Sequence, residues 1–124
     1  MLYYNMKTKK YLIVDWKCNE VFPLTGFCRC GDKHVENCGR FFNHPALNDI
    51  EECKFGKGTL QLNIYQHIYE LYYGIEIEDR WLVVVHSSKN NYTLHKTPNI
   101  QDRIAVLFRE REEKLTKILN STIQ

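Results

Sequence analysis

The chain has 124 residues, 44% of them hydrophobic, enough to bury the core of a single domain spanning residues 1–124. Its 17 basic and 15 acidic side chains leave a formal charge of +2, a balance that neither demands nor excludes a nucleic-acid partner. The longest apolar run is far too short to span a bilayer, and residues 1–10 hold no apolar signal segment, so an intracellular protein of the cytoplasm or nucleus with no membrane partner is expected. On that expectation Cys18, Cys28, Cys30, Cys38 and Cys53 read as reduced thiols rather than a disulfide framework.

In chain order, Tyr3–Met6 and Lys10–Lys17 read as two β segments joined by Lys7-Thr8-Lys9, an antiparallel hairpin. Residues 18–57 hold Gly26, Gly31, Gly39, Gly56, Pro23, Pro45 and most of the cysteines, with no sustained period. They are expected to form a long irregular loop, and loops of that length are usually functional or mobile. A helix follows over 58–74: Leu60, Ile64, Ile68 and Leu71 recur at helical spacing, and Gly74 stands where a helix-ending glycine belongs. Trp81–Val85 reads as a short buried strand, Asn90-Asn91 as a turn and Tyr92–His95 as the return strand. Pro98 and Asp102 precede a last helix over 101–120, expected to turn Ile104, Leu107, Phe108, Leu115 and Leu119 inward. Its "REREEK" segment reads as a solvated face, and the alternation of strands and helices gives an α/β class.

Two short motifs carry chemistry. The strand Lys10–Lys17 ends in "DWK", and residues two apart on a strand share a face. Asp15 and Lys17 therefore project together, while Trp16 points the other way, into packing. On one phosphodiester, a carboxylate can hold a divalent cation that polarises the phosphoryl oxygen and acidifies water. A neighbouring ammonium can stabilise the developing charge. The plain alternative is a surface ion pair at a strand end, worth about 0 to 1 kcal/mol. The second motif is "QLNIY", in which Gln61 and Tyr65 lie one helical turn apart and flank the apolar seam of Leu60, Ile64 and Ile68. An amide and a phenol placed there can hydrogen-bond a phosphate or steady a lysine; alone, they also read as a first-turn residue and a core-edge aromatic.

Taken together and in this order, "DWK", then "LQLNIYQHIYELYYGI", then "LVVVH" resemble the RecB-like branch of the PD-(D/E)xK nuclease superfamily, in particular nuclease-like proteins of large DNA viruses and mobile elements. The resemblance spans roughly residues 10–111, with Leu60–Ile75 its most specific part. It implies a restriction-endonuclease-like core, a mixed sheet flanked by helices, here incomplete at the N-terminus. It also implies Mg²⁺-dependent (or Mn²⁺-dependent) hydrolysis of DNA phosphodiesters. Asp15 would then be a metal ligand together with the Trp16 backbone carbonyl, Lys17 the catalytic lysine, and Gln61 with Tyr65 the pair that supports the site and touches the DNA strand.

Departures from the pattern are equally specific. The family places another aspartate on the strand before D-x-K and a glutamate earlier still, yet residues 1–14 contain neither Asp nor Glu, and the amide of Asn5 is a poor replacement. Cys18 stands where relatives tend to carry a base. Two explanations follow: an upstream segment or partner chain completes the site, or the copy keeps the fold and DNA affinity without turnover. Either leaves an apolar sheet surface to be covered. A different class of function is a non-catalytic nucleic-acid or protein binding module, in which Cys28, Cys30, His34 and Cys38, spaced C-x-C-x3-H-x3-C, wrap a structural Zn²⁺.

Overall fold

The computed structural model describes residues 1–18, 41–50, 54–87 and 91–123. The first two strands form the expected hairpin: β1 (Leu2–Asn5) pairs antiparallel with β2 (Lys10–Cys18). Asn5 builds its turn. The side-chain oxygen accepts the N–H groups of Lys7 and Thr8, and its carbonyl accepts that of Lys9, which sits in the left-handed region at φ 59°. Short polar side chains bonding their own backbone are what such turns select.

Helix α1 (Lys54–Tyr73) begins four residues before the sequence-based start at 58, so residues 54–57 of the expected loop are helical. Glycine lowers helix propensity by about 1 kcal/mol relative to alanine, and Gly56 and Gly58 together mask the true start. Packing overrides propensity here. A Cβ on Gly58 would lie 2.7 Å from Leu82 Cδ1, so the bare backbone lets the first turns of α1 press onto the sheet. Gly74, at φ 65°, ends the helix as expected.

The next strand, β3 (Ile77–Val85), starts four residues before the expected Trp81. Its "IEDR" opening does not look buried, yet Arg80 is only 3% exposed, because its guanidinium donates to Gln66 Oε1 of α1 at 2.7 Å. β4 (Thr93–Lys96) is the return strand, one residue further along than expected, and α2 (Gln101–Ile123) closes the fold. The sheet order is β1-β2-β3-β4, with antiparallel, parallel and antiparallel pairings in turn. The parallel β2–β3 pair is joined through α1, as a parallel connection requires. Among the described residues, a four-stranded mixed sheet with two helices makes the class mixed α/β.

Two apolar clusters hold the layers. Ile13, Leu62, Ile77 and Leu82 lie between α1 and the sheet. Leu47, Ile100 and Ile104 gather Phe42, Leu60, Ile64, Leu107 and Phe108 between the two helices and residues 41–50. Bidentate pairing of Arg103 with Asp49, at 2.5 and 2.7 Å, and a His44–Glu110 contact at 2.6 Å hold that segment on α2.

Four side chains expected inside are outside. Trp16 is 54% exposed, because alternation along β2 turns it to the sheet face opposite α1, a face that also shows Tyr3 and Leu94 and that neither helix covers. Leu115 and Leu119 are exposed because α2 runs on past Phe108, its last residue packed in the core. Leu71 is exposed at the far end of α1. No helix among the described residues is long and apolar enough to cross a membrane.

Candidate functional site

The parallel register sets Asp15 beside Leu82 and Lys17 beside Val84 at the tip of β2. Leu82 is the residue on which Gly58 rests, so the close approach of α1 brings its second turn over that tip. Gln61 is thereby in reach of the strand. Lys17 Nζ lies 2.7 Å from Asp15 Oδ2 and donates to Gln61 Oε1 at 3.0 Å, and Gln61 Nε2 donates to the Tyr65 hydroxyl at 3.1 Å. All four residues singled out from the sequence thus form one continuous polar chain, from a carboxylate through an ammonium and an amide to a phenol.

The chain has a direction. An ammonium can only donate, so Gln61 must turn its oxygen to Lys17 and its NH₂ to Tyr65. Tyr65 oxygen accepts, which leaves the phenolic proton to be donated outward, and Tyr65 is 43% exposed. Lys17 keeps at least one further N–H beyond those turned to Asp15 and Gln61. The site therefore presents donors, and what donors on a partly open surface suit is an anionic oxygen. Lys17 and Asp15 side chains are each a little under one-third exposed. In that setting the ion pair contributes about 0 to 1 kcal/mol, too little to explain the whole arrangement as a stabilising device.

Asp15 Oδ2 is buried against the Lys17 ammonium, 2.7 Å away. Trp16 adds a second oxygen. Val14 exchanges hydrogen bonds with Met1, and alternation points the Trp16 peptide towards the same edge, beyond the last residue of β1 that pairs. A cation of the Mg²⁺ type takes one or two carboxylates and fills its remaining positions with water and substrate phosphate, so the Asp15 carboxylate and this carbonyl are the groups that could hold one here. Among the described residues no cluster of three or more His, Cys, Asp or Glu side chains is placed to hold a metal. Cys28, Cys30, His34 and Cys38 lie outside the described residues. Asn5 stands at the opposite end of β2 from Asp15, donating to Glu78 Oε1 at 3.0 Å, and takes no part in the site.

Beside the chain, Lys57, Leu60, Gln61, Ile64 and Tyr65 line an open cavity of about 300 Å³. Lys57 was not among the sequence candidates, although its place one turn before Gln61 signals it. Also missed was the buried network that holds α1 in register. Asn63, fully buried, donates to the carbonyls of Thr59 and Pro98 and accepts from the Ile100 N–H and the Gln101 side chain. Gln66 joins Arg80 to Glu70. Burial lowers the Arg80 guanidinium's proton affinity below its usual value, a shift that Asp79 and Glu70 oppose. No family model, curated protein or solved structure matches the chain.

Proposed function

We propose that the protein is a nuclease-like DNA-binding domain with a restriction-endonuclease-like core, whose site takes a phosphodiester at the tip of β2 and hydrolyses it with a divalent cation. One observation carries this reading: Asp15, Lys17, Gln61 and Tyr65, drawn from two motifs more than forty residues apart, join in a single hydrogen-bonded and ion-paired chain. The strand, helix, strand order that positions them is the order the resemblance implies.

Each residue has a task set by its atoms. Lys17, braced on one side by Asp15 and on the other by Gln61, aims a remaining N–H at a non-bridging phosphate oxygen and stabilises the charge that grows there. Gln61 fixes both neighbours by its orientation. Tyr65 donates its free proton to the phosphate of the adjoining nucleotide. The Asp15 carboxylate, through the oxygen not paired with Lys17, and the Trp16 carbonyl would hold Mg²⁺, which when bound would polarise the phosphoryl oxygen and lower the pKa of an attacking water.

The test is metal-dependent cleavage and binding of single- and double-stranded DNA by the wild type, Asp15→Ala and Lys17→Ala. Asp15→Ala should abolish cleavage. Lys17→Ala should lower the cleavage rate by roughly a hundredfold, the scale set by loss of one preorganised donor. Wild-type affinity should fall steadily with added salt as phosphate contacts release counterions. A wild type that binds DNA in this salt-dependent way but never cleaves it would reduce the site to recognition alone. Absence of salt-dependent DNA binding would overturn the reading.

A further inference from the structure

Resting on that reading, we propose that the cavity lined by Leu60, Ile64 and Tyr65 of α1 receives an unpaired nucleobase next to the held phosphate, so that the substrate is single-stranded DNA or a frayed end rather than intact duplex. The floor is apolar, formed by Leu60 and Ile64, and Tyr65 supplies an exposed aromatic ring at its wall. Lys57 and Gln61 complete a lining that is almost wholly apolar. A volume of about 300 Å³ is at the lower end of what takes a small ligand. It has room for one planar ring system and none for a stacked base pair.

Placement decides the occupant. Tyr65 belongs to both features: its hydroxyl ends the polar chain that begins at Asp15, and its ring faces the cavity. A group lying on that ring therefore sits within one nucleotide of a phosphate bonded to Lys17 or to the phenol. An apolar lining with an aromatic wall, next to the polar chain that carries the Lys17 ammonium, matches a nucleobase attached to a negatively charged backbone. A base inside a duplex is paired and stacked and would have to be flipped out to enter, whereas an unpaired base enters at no such cost. Gln61 already spends its oxygen on Lys17 and one N–H on Tyr65. Little hydrogen-bonding capacity is left to read a base edge, so selection is for an unpaired state and not for sequence.

Equilibrium binding by fluorescence anisotropy tests this on the full chain, with a labelled oligothymidylate strand, the same strand carrying abasic sites, and a blunt duplex. The single strand should bind about tenfold more tightly than its abasic counterpart, the effect of stacking one base on an aromatic side chain. The duplex should bind as weakly as the abasic strand. Tyr65→Phe keeps the ring and should keep the preference for normal over abasic DNA while lowering affinity for both. Tyr65→Ala should erase the preference. Equal affinity of the wild type for normal and abasic strands, with salt dependence intact, overturns this proposal and leaves the phosphodiester site standing. Loss of salt-dependent binding to every ligand overturns both.

Discussion

Asn63 holds more of this structure than its polarity suggests. Its side chain ties the first half of α1 to the Pro98–Gln101 segment that launches α2, with both donor hydrogens and the acceptor oxygen engaged in a fully buried position. Replacing it by alanine strands the Pro98 carbonyl and the Ile100 N–H without partners, and leaving buried groups unmet costs about 1 to 3 kcal/mol each. Asn63→Ala should thus lower the unfolding free energy by about 3 kcal/mol, read from denaturant melts. Asn63→Asp should be comparably harmful, since a carboxylate cannot donate to the two carbonyls. At the site itself, Gln61→Glu is the informative change. A carboxylate accepts from Lys17 and from Tyr65 alike, so it consumes the phenolic proton and adds negative charge where the proposed function seats a DNA phosphate. DNA affinity should fall by at least tenfold, about 1.4 kcal/mol, with little change in melting temperature.

Among the elements, α1 earns its position by lacking a side chain at one point. Gly58 sits on Leu82, the strand neighbour of Asp15, so the helix-to-sheet distance at the site is set by this contact. Gly58→Ala gains up to about 1 kcal/mol of helix propensity. Against that, the new methyl group meets Leu82 Cδ1 at 2.7 Å and Cδ2 at 3.0 Å within a fully buried leucine, and overpacking of this kind typically costs about 1 to 3 kcal/mol. The net expectation is a modest loss of stability together with weaker DNA binding, because Gln61 is pushed away from Lys17. α2 divides differently. Its first turns complete the core through Ile104, Leu107 and Phe108, whereas residues 109–122 are exposed throughout. Removing residues 114–124 should change the unfolding free energy by no more than about 0.5 kcal/mol, as surface changes away from packed features do.

For the whole molecule, pH tests how the 41–50 segment is fastened. Hydrogen bonds from Arg103 hold the Asp49 carboxyl below its usual proton affinity. A carboxyl depressed in the folded state stabilises the fold above its unfolded pKa, about 3.9, and loses that contribution as pH falls through the lower folded value. Asp49→Asn should therefore melt below the wild type at pH 7, and the two should converge in acid once both pKa values are passed.

Periodicity and local chemistry were sufficient, in the sequence, to give the β1–β2 hairpin, both helices and the Gly74 helix end, whereas the four residues of the polar chain were singled out by the resemblance that their two motifs carry together. Those features depend on neighbours within a few positions: strand alternation pairs Asp15 with Lys17, and one helical turn pairs Gln61 with Tyr65. What joins the two pairs is long-range. The start of α1 at Lys54, the burial of Arg80 at the head of β3, the exposure of Trp16, Leu115 and Leu119, and the cavity beside Tyr65 were decided only by tertiary packing. The reason is physical: a glycine pressed on a leucine, or a charge matched by an amide from another element, reverses in the folded chain what each residue prefers alone.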